Sequence, residues 1–108
     1  MPILPQSTVP AQEQQFVIED VTYGFDTTLL LSGAQTPTSP VFTLTKLGIP
    51  ANTTITLADG SSTSGNVVSQ RVRTNVLSAG STYALQLVFQ PSGTTNELVM
   101  LLTIVCPQ

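Results

Sequence analysis

Histidine is absent from this chain of 108 residues, so the commonest proton shuttle and the commonest metal ligand are both missing. A nucleophilic triad of the usual kind cannot be assembled without it. The single cysteine, Cys106, needs a cationic neighbour or a helix N-terminus to become a reactive thiolate, yet it closes an apolar run and precedes Pro107. It reads as a small core or strand-end residue. One cysteine forms no internal disulfide, which fits a reducing compartment. Glu19, Asp20 and Asp26 are the clustered carboxylates, and hard cations such as calcium take oxygen ligands. Adjacent strand residues point to opposite faces, however, so Glu19 and Asp20 read as a solvated strand edge. The loop from Asp59 to Asn66 has glycines but no following lysine and no helix, so it is no phosphate cradle. Lys46 with Asn66, Asn75 or Asn96 and a carboxylate has the residue types for an intramolecular isopeptide bond, a chemistry that requires all three groups buried together. Asn52-Thr53-Thr54 matches a glycosylation acceptor, and reads as a chance match because no secretory signal precedes it. The expectation is a chain with no catalytic residue, no metal and no cofactor.

The elements that position these residues read as strands. Phe16-Val17-Ile18 is one run, and in Val21-Thr22-Tyr23-Gly24-Phe25 the residues Val21, Tyr23 and Phe25 share a face. Leu29-Leu30-Leu31 leads to a turn at Ser32-Gly33-Ala34. Pro37 and Pro40 bracket the connection into Val41 to Lys46, where Phe42, Leu44 and Lys46 share a face and the Lys46 ammonium reaches water at the strand end. Gly48-Ile49-Pro50 bends the chain into Thr53 to Leu57. Asp59-Gly60 is a turn dipeptide, and the Ser/Gly-rich residues after it predict a longer, flexible loop. Val67 to Val72 follows as a strand of mixed polarity. Thr82 to Gln90 alternates most cleanly, with Tyr83, Leu85, Leu87 and Phe89 inward and Thr82, Gln86 and Gln90 outward. Pro91-Ser92-Gly93-Thr94 then turns the chain into Glu97 to Cys106, where Leu98, Met100, Leu102, Ile104 and Cys106 face one way. No segment carries a helical period. Seven or eight short antiparallel strands, each with one polar face, predict an all-β two-sheet sandwich over residues 16–108.

Composition bounds the function. The length suits one domain, and a chain of this size buries enough surface to fold without staples. Charged residues make up 8%, about a third of the usual ~25%, so the surface must be polar but uncharged. Positive mean hydropathy argues against disorder. A net charge of -3, with Lys46, Arg71 and Arg73 as the basic residues, cannot neutralise a row of phosphates. That excludes nucleic acid and anionic membrane as partners. The longest apolar run, Leu98 to Ile104 around Thr103, falls far short of a membrane span. The N-terminus has neither a basic n-region nor an apolar h-region, so the expectation is a protein made and used without export.

Residues 1–15, with prolines at 2, 5 and 10 and glutamines at 6, 12, 14 and 15, read as an extended or irregular arm, either a frayed terminus or a segment that orders against a neighbouring subunit. Its expected contact residues are Pro2, Ile3, Leu4, Pro5, Val9, Pro10 and Gln14, with the loops 32–40 and 61–66 as further contacts. In Leu77-Ser78-Ala79-Gly80-Ser81-Thr82-Tyr83 a leucine lies six residues and a glycine three residues before the tyrosine that enters the best strand. This spacing of Leu77, Gly80 and Tyr83 is similar to the tyrosine corner of immunoglobulin-like and fibronectin type III sandwiches, whose hydroxyl bonds back to upstream backbone.

The larger pattern carries a second likeness. Glu19 to Asp26, then Leu29-Leu30-Leu31, then Val41-Phe42-Thr43-Leu44, resembles the opening of small immunoglobulin-like virion proteins of tailed phages. The later half agrees, in Val67 to Val72, Leu77 to Tyr83, the Ser92-Gly93-Thr94 hairpin and the closing apolar strand. The chain departs from that pattern in lacking tryptophan and in carrying the proline-rich arm. The resemblance implies a non-enzymatic structural role on the bacteriophage virion, assembled in the host cytoplasm. Capsid decoration (cement) is the leading form, with the major capsid protein as partner, and a head-tail or fibre accessory role is the next. It also implies a homo-oligomer, with a trimer at local threefold positions as one form. The Thr/Ser/Gln surface suits such a role, because hydroxyls and amides desolvate more cheaply than ions. A contact protein of this kind adds stability to a shell by mass action. The reading from another class is a carbohydrate- or host-surface-binding module, which wants exposed aromatics. The chain has six aromatic residues, most expected inward.

Overall fold

The computed structural model describes residues 3–4, 11–15, 19–48 and 51–108. The run Phe16-Val17-Ile18, the bend at Ile49-Pro50 and the arm residues Pro2, Pro5, Val9 and Pro10 lie outside the described residues. The strands in chain order are β1 (Ile3–Leu4), β2 (Ala11–Gln14), β3 (Val21–Asp26), β4 (Pro37–Leu47), β5 (Thr53–Ile55), β6 (Ser62–Ser64), β7 (Val67–Val72), β8 (Thr82–Pro91) and β9 (Leu98–Val105). They form a four-stranded sheet in the order β1-β3-β7-β6 and a five-stranded sheet in the order β2-β9-β8-β4-β5. Pairing is antiparallel throughout, except where β1 joins β3 and β2 joins β9 in parallel. With β3, β4, β7, β8 and β9 in the places of strands B, C, E, F and G, this is the immunoglobulin-like order. Each described segment of the arm supplies an edge to one sheet.

Alternation builds the core. In β8, Tyr83, Leu85, Leu87 and Phe89 are buried while the residues between them are partly exposed. Opposite them lie Leu102 and Ile104 of β9 and Leu44 of β4. Tyr23 and Phe25 of β3 and Val68 and Val72 of β7 close the core from the other sheet. Phe25 meets Phe42 edge-on across the sandwich, with centroids 5.3 Å apart and planes at 68°.

Several elements differ from the sequence expectation. Leu29 and Leu30 belong to a 3-10 turn (Thr28–Leu30) instead of an extended run, and only Leu31 packs on the core. Strand β4 begins at Pro37, and a bulge between Thr38 and Val41 absorbs Pro40, with Ser39 in the left-handed region at φ 50. The expected loop 61–66 contains β6, joined to β7 by a tight turn in which Gly65 supplies a positive φ. That turn, and not the Asp59-Gly60 dipeptide, makes the hairpin.

Candidate functional site

The residues with chemical potential are spread out and mostly engaged in structure. Among the described residues no three His, Cys, Asp or Glu side chains are grouped to hold a metal. Cys106 is buried, and desolvation pushes its thiol pKa up, away from the reactive thiolate. Asp20 accepts the Thr74 N–H at 2.8 Å and pairs with Arg71 at 2.8 Å. The backbone bond and then the guanidinium hold its carboxyl below the ordinary value against the opposing effect of desolvation. Asp59 takes two bonds from Arg73, at 2.7 and 2.9 Å, and these lower its pKa in the same way. Asp26 Oδ1 accepts from Thr28 N–H and Oγ1 and so pins the 3-10 turn. The isopeptide group is not assembled: Asn75 and Asn96 are exposed, and half-buried Asn66 sits at the opposite end of the sandwich from Lys46. Asn52 Oδ1 accepts the Gly48 N–H beside its loop.

Two tyrosines anchor the ends of strands. Tyr83 Oη accepts the Ser78 N–H at 2.7 Å, Leu77 is buried beneath, and Gly80 turns at φ 79 with its N–H on Cys106 O. A Cβ on Gly80 would fall 2.8 Å from the Gln108 side chain. Tyr23 Oη donates to Gln15 Oε1 at 2.8 Å, while Gln15 Nε2 donates to Val72 O at 2.8 Å and Glu19 O at 3.1 Å. The Gln15 N–H reaches Val105 O, so this fully buried amide ties β9 to β3 and β7. No signal in the sequence separates Gln15 from Gln12 or Gln14. Of the expected arm contacts, Ile3 and Leu4 lie beside Gly24 and Phe25, and exposed Gln14 lies beside Val105. Their strand backbone thus pairs within the chain.

The feature that stands apart is the outer face of the five-stranded sheet. The register lines it up in rows across β4, β8 and β9: Val41, Val88 and Val99; Thr43, Gln86 and Leu101; Thr45, Ala84 and Thr103; Leu47, Thr82 and Val105. Thr54 of β5 and Gln14 of β2 extend the last two rows. None of these positions carries a charge. Val41 is 59% exposed, Val99 53% and Leu101 41%, so aliphatic side chains stand in water on this face. The sequence expectation of a Thr/Ser/Gln surface misses them.

A second apolar feature caps one end. Leu29, 77% exposed, and Leu30 project from the pinned turn beside the Gly65-Asn66 turn, whose Asn66 O accepts the Thr27 N–H and hydroxyl. The segment 32–36 reaches Ser92 of the β8–β9 connection through Thr36 and Gln35. No described aromatic residue is exposed: Tyr23, Phe25, Tyr83 and Phe89 are buried and Phe42 is half-buried. Among the described residues no helix is long and apolar enough to cross a membrane. No protein-family model, curated protein or solved structure matches the chain.

Proposed function

We propose that this chain is a non-enzymatic structural protein of a virion, a capsid decoration (cement) protein that binds the outer face of a phage head and bridges neighbouring major capsid subunits. One observation carries the reading: exposed aliphatic side chains stand on firmly hydrogen-bonded surface, Val41, Val99 and Leu101 on sheet rows without charge and Leu29 and Leu30 on the turn pinned by Asp26. Such surface loses little on desolvation and gains from each contact it makes. Removing a protein from solution onto many equivalent shell sites stabilises the shell by mass action. A carbohydrate-binding role has less support, because sugar stacking needs exposed aromatic faces and no described aromatic residue provides one.

The test is co-sedimentation of the purified chain with expanded phage heads that lack it, beside the variant Leu29→Asp. Saturable binding of the chain, weakened by Leu29→Asp, is the expected result. A chain that stays in the supernatant at every concentration contradicts the reading and leaves tail and fibre positions as the next sites to examine.

A further inference from the structure

We infer that the charge-free outer face of the five-stranded sheet is closed by a second copy of this chain, in a two-fold pair with β8 lying over β8. The inference rests on the contact reading above and names the partner of one of its two surfaces, leaving the loop end with Leu29 for the shell.

Three observations lead there. The first is charge. Two copies, each carrying -3, repel through most of their surfaces, and a face without a charged position is where they approach at least cost. A foreign partner with a basic patch would find nothing to pair with there. The second is area. From Val41 to Leu47 the face runs roughly 20 Å across β4, β8 and β9, and the short β5 and β2 widen it over part of that length, so each copy offers roughly 400 Å² in projection. Two copies together reach about 800 Å², the size of a weak, reversible pair.

The third is the placing of a rim charge. Glu97 is exposed just before β9, at the end bearing Val41, Val88 and Val99 and on their side of the sheet, whereas Lys46 at the other end belongs to the inward set with Leu44. A face-to-face pair needs a two-fold axis lying in the interface. An axis running along the strands brings both Glu97 carboxylates to one end. An axis running across the strands sends them to opposite ends, where they no longer repel each other. It also lays the row of Val41, Val88 and Val99 over the second copy's row of Leu47, Thr82 and Val105. Aliphatic groups then cover aliphatic groups, and the hydroxyl and amide rows meet at the centre, with the sheets about 10 Å apart.

Sedimentation equilibrium of the full chain, without shells, tests this. The chain is expected to dimerise, and Val99→Glu to weaken the dimer at least ~30-fold with an unchanged circular dichroism spectrum, because the carboxylate would be buried unpaired. The across-strand axis places Val99 opposite the second copy's Val105, while within one chain the two lie roughly 20 Å apart. Adding Val105→Lys to Val99→Glu is therefore expected to recover about tenfold in affinity, and adding Val41→Lys to recover nothing. A chain monomeric at millimolar concentration, a dimer indifferent to Val99→Glu, or rescue by Val41→Lys instead of Val105→Lys overturns the inference. A monomer that still co-sediments with shells overturns it while sparing the functional reading. A dimer that never binds shells does the reverse.

Discussion

The two outer faces of this sandwich are built from the same strand geometry and treated in opposite ways. The four-stranded sheet sets Thr22 against Arg71, which reaches Asp20, and Arg73 holds Asp59 nearby. Both arginines are paired, and the pairs stay wet. The five-stranded sheet has no charge on the four rows from Val41 to Val105 and leaves valines and a leucine uncovered. Exposed ion pairs contribute little to stability, and they make a surface costly to bury. A surface free of them can be covered without that cost. On the proposed reading, the difference separates the side of the molecule kept for solvent from the side kept for contact.

The largest expected effect tests that asymmetry. Val99→Glu is expected to abolish self-association at concentrations where the unaltered chain pairs, by about 2 kcal/mol or more, with folding stability within about 0.5 kcal/mol of the original. Ser62→Glu, on the edge of the opposite sheet, is expected to change neither. Equal loss from both substitutions would erase the comparison.

Next comes the junction that holds the faces together. Gln15→Ala strips Tyr23 of its acceptor and Val72 O of a donor in a dry site, so urea unfolding is expected to show a loss of roughly 2 to 3 kcal/mol. Combining it with Tyr23→Phe should cost less than the sum of the two single changes, because they share one network. At the corner, Tyr83→Phe deprives the Ser78 N–H of its acceptor and is expected to cost about 1 to 2 kcal/mol.

The smallest effect sharpens the contrast in charge. Asp20 and Asp59 have carboxyls held below the ordinary value, Asp20 chiefly by the Thr74 N–H and Asp59 chiefly by Arg73. Depressed carboxylates contribute stability that is present above the unfolded value and is lost as pH falls through the folded one. Thermal unfolding is therefore expected to hold steady above the ordinary aspartate value of 3.8 and to decline below it. Arg73→Ala should shrink that decline while changing stability little at neutral pH, where solvent screens the exposed pair. Association, by contrast, is expected to stay flat between about pH 5 and 8, because the paired face has nothing that titrates there.

Much of the fold is legible from period-two alternation. Tyr83, Leu85, Leu87 and Phe89 declare β8, and the spacing of Leu77, Gly80 and Tyr83 marks its entry. The contact face is only half legible, for a physical reason. Alternation from Leu98 to Cys106 sets Val99, Leu101 and Val105 on the face opposite Leu102 and Ile104, but the expectation of a polar outer face gives no sign that they stand uncovered. The register with β8 and β4 lines them up with Val41 and Val88. Leu29 and Leu30 mislead in the opposite sense: a leucine run suggests a strand, but Asp26 closes the chain into a turn that leaves them outside. Gln15 gives no sign at all, since its role depends on Tyr23 and Val72, the latter 57 positions away.

The most direct measurement is side-chain footprinting with a photo-generated carbene, read residue by residue on the chain free at low concentration and bound to shells. The account predicts that Val41, Val88, Val99 and Leu101 on one face and Leu29 at the loop end lose labelling on binding, while Thr22, Ser62 and Ser64 keep theirs. Protection of the four-stranded face, with Val99 and Leu101 labelled as freely as before, would contradict it.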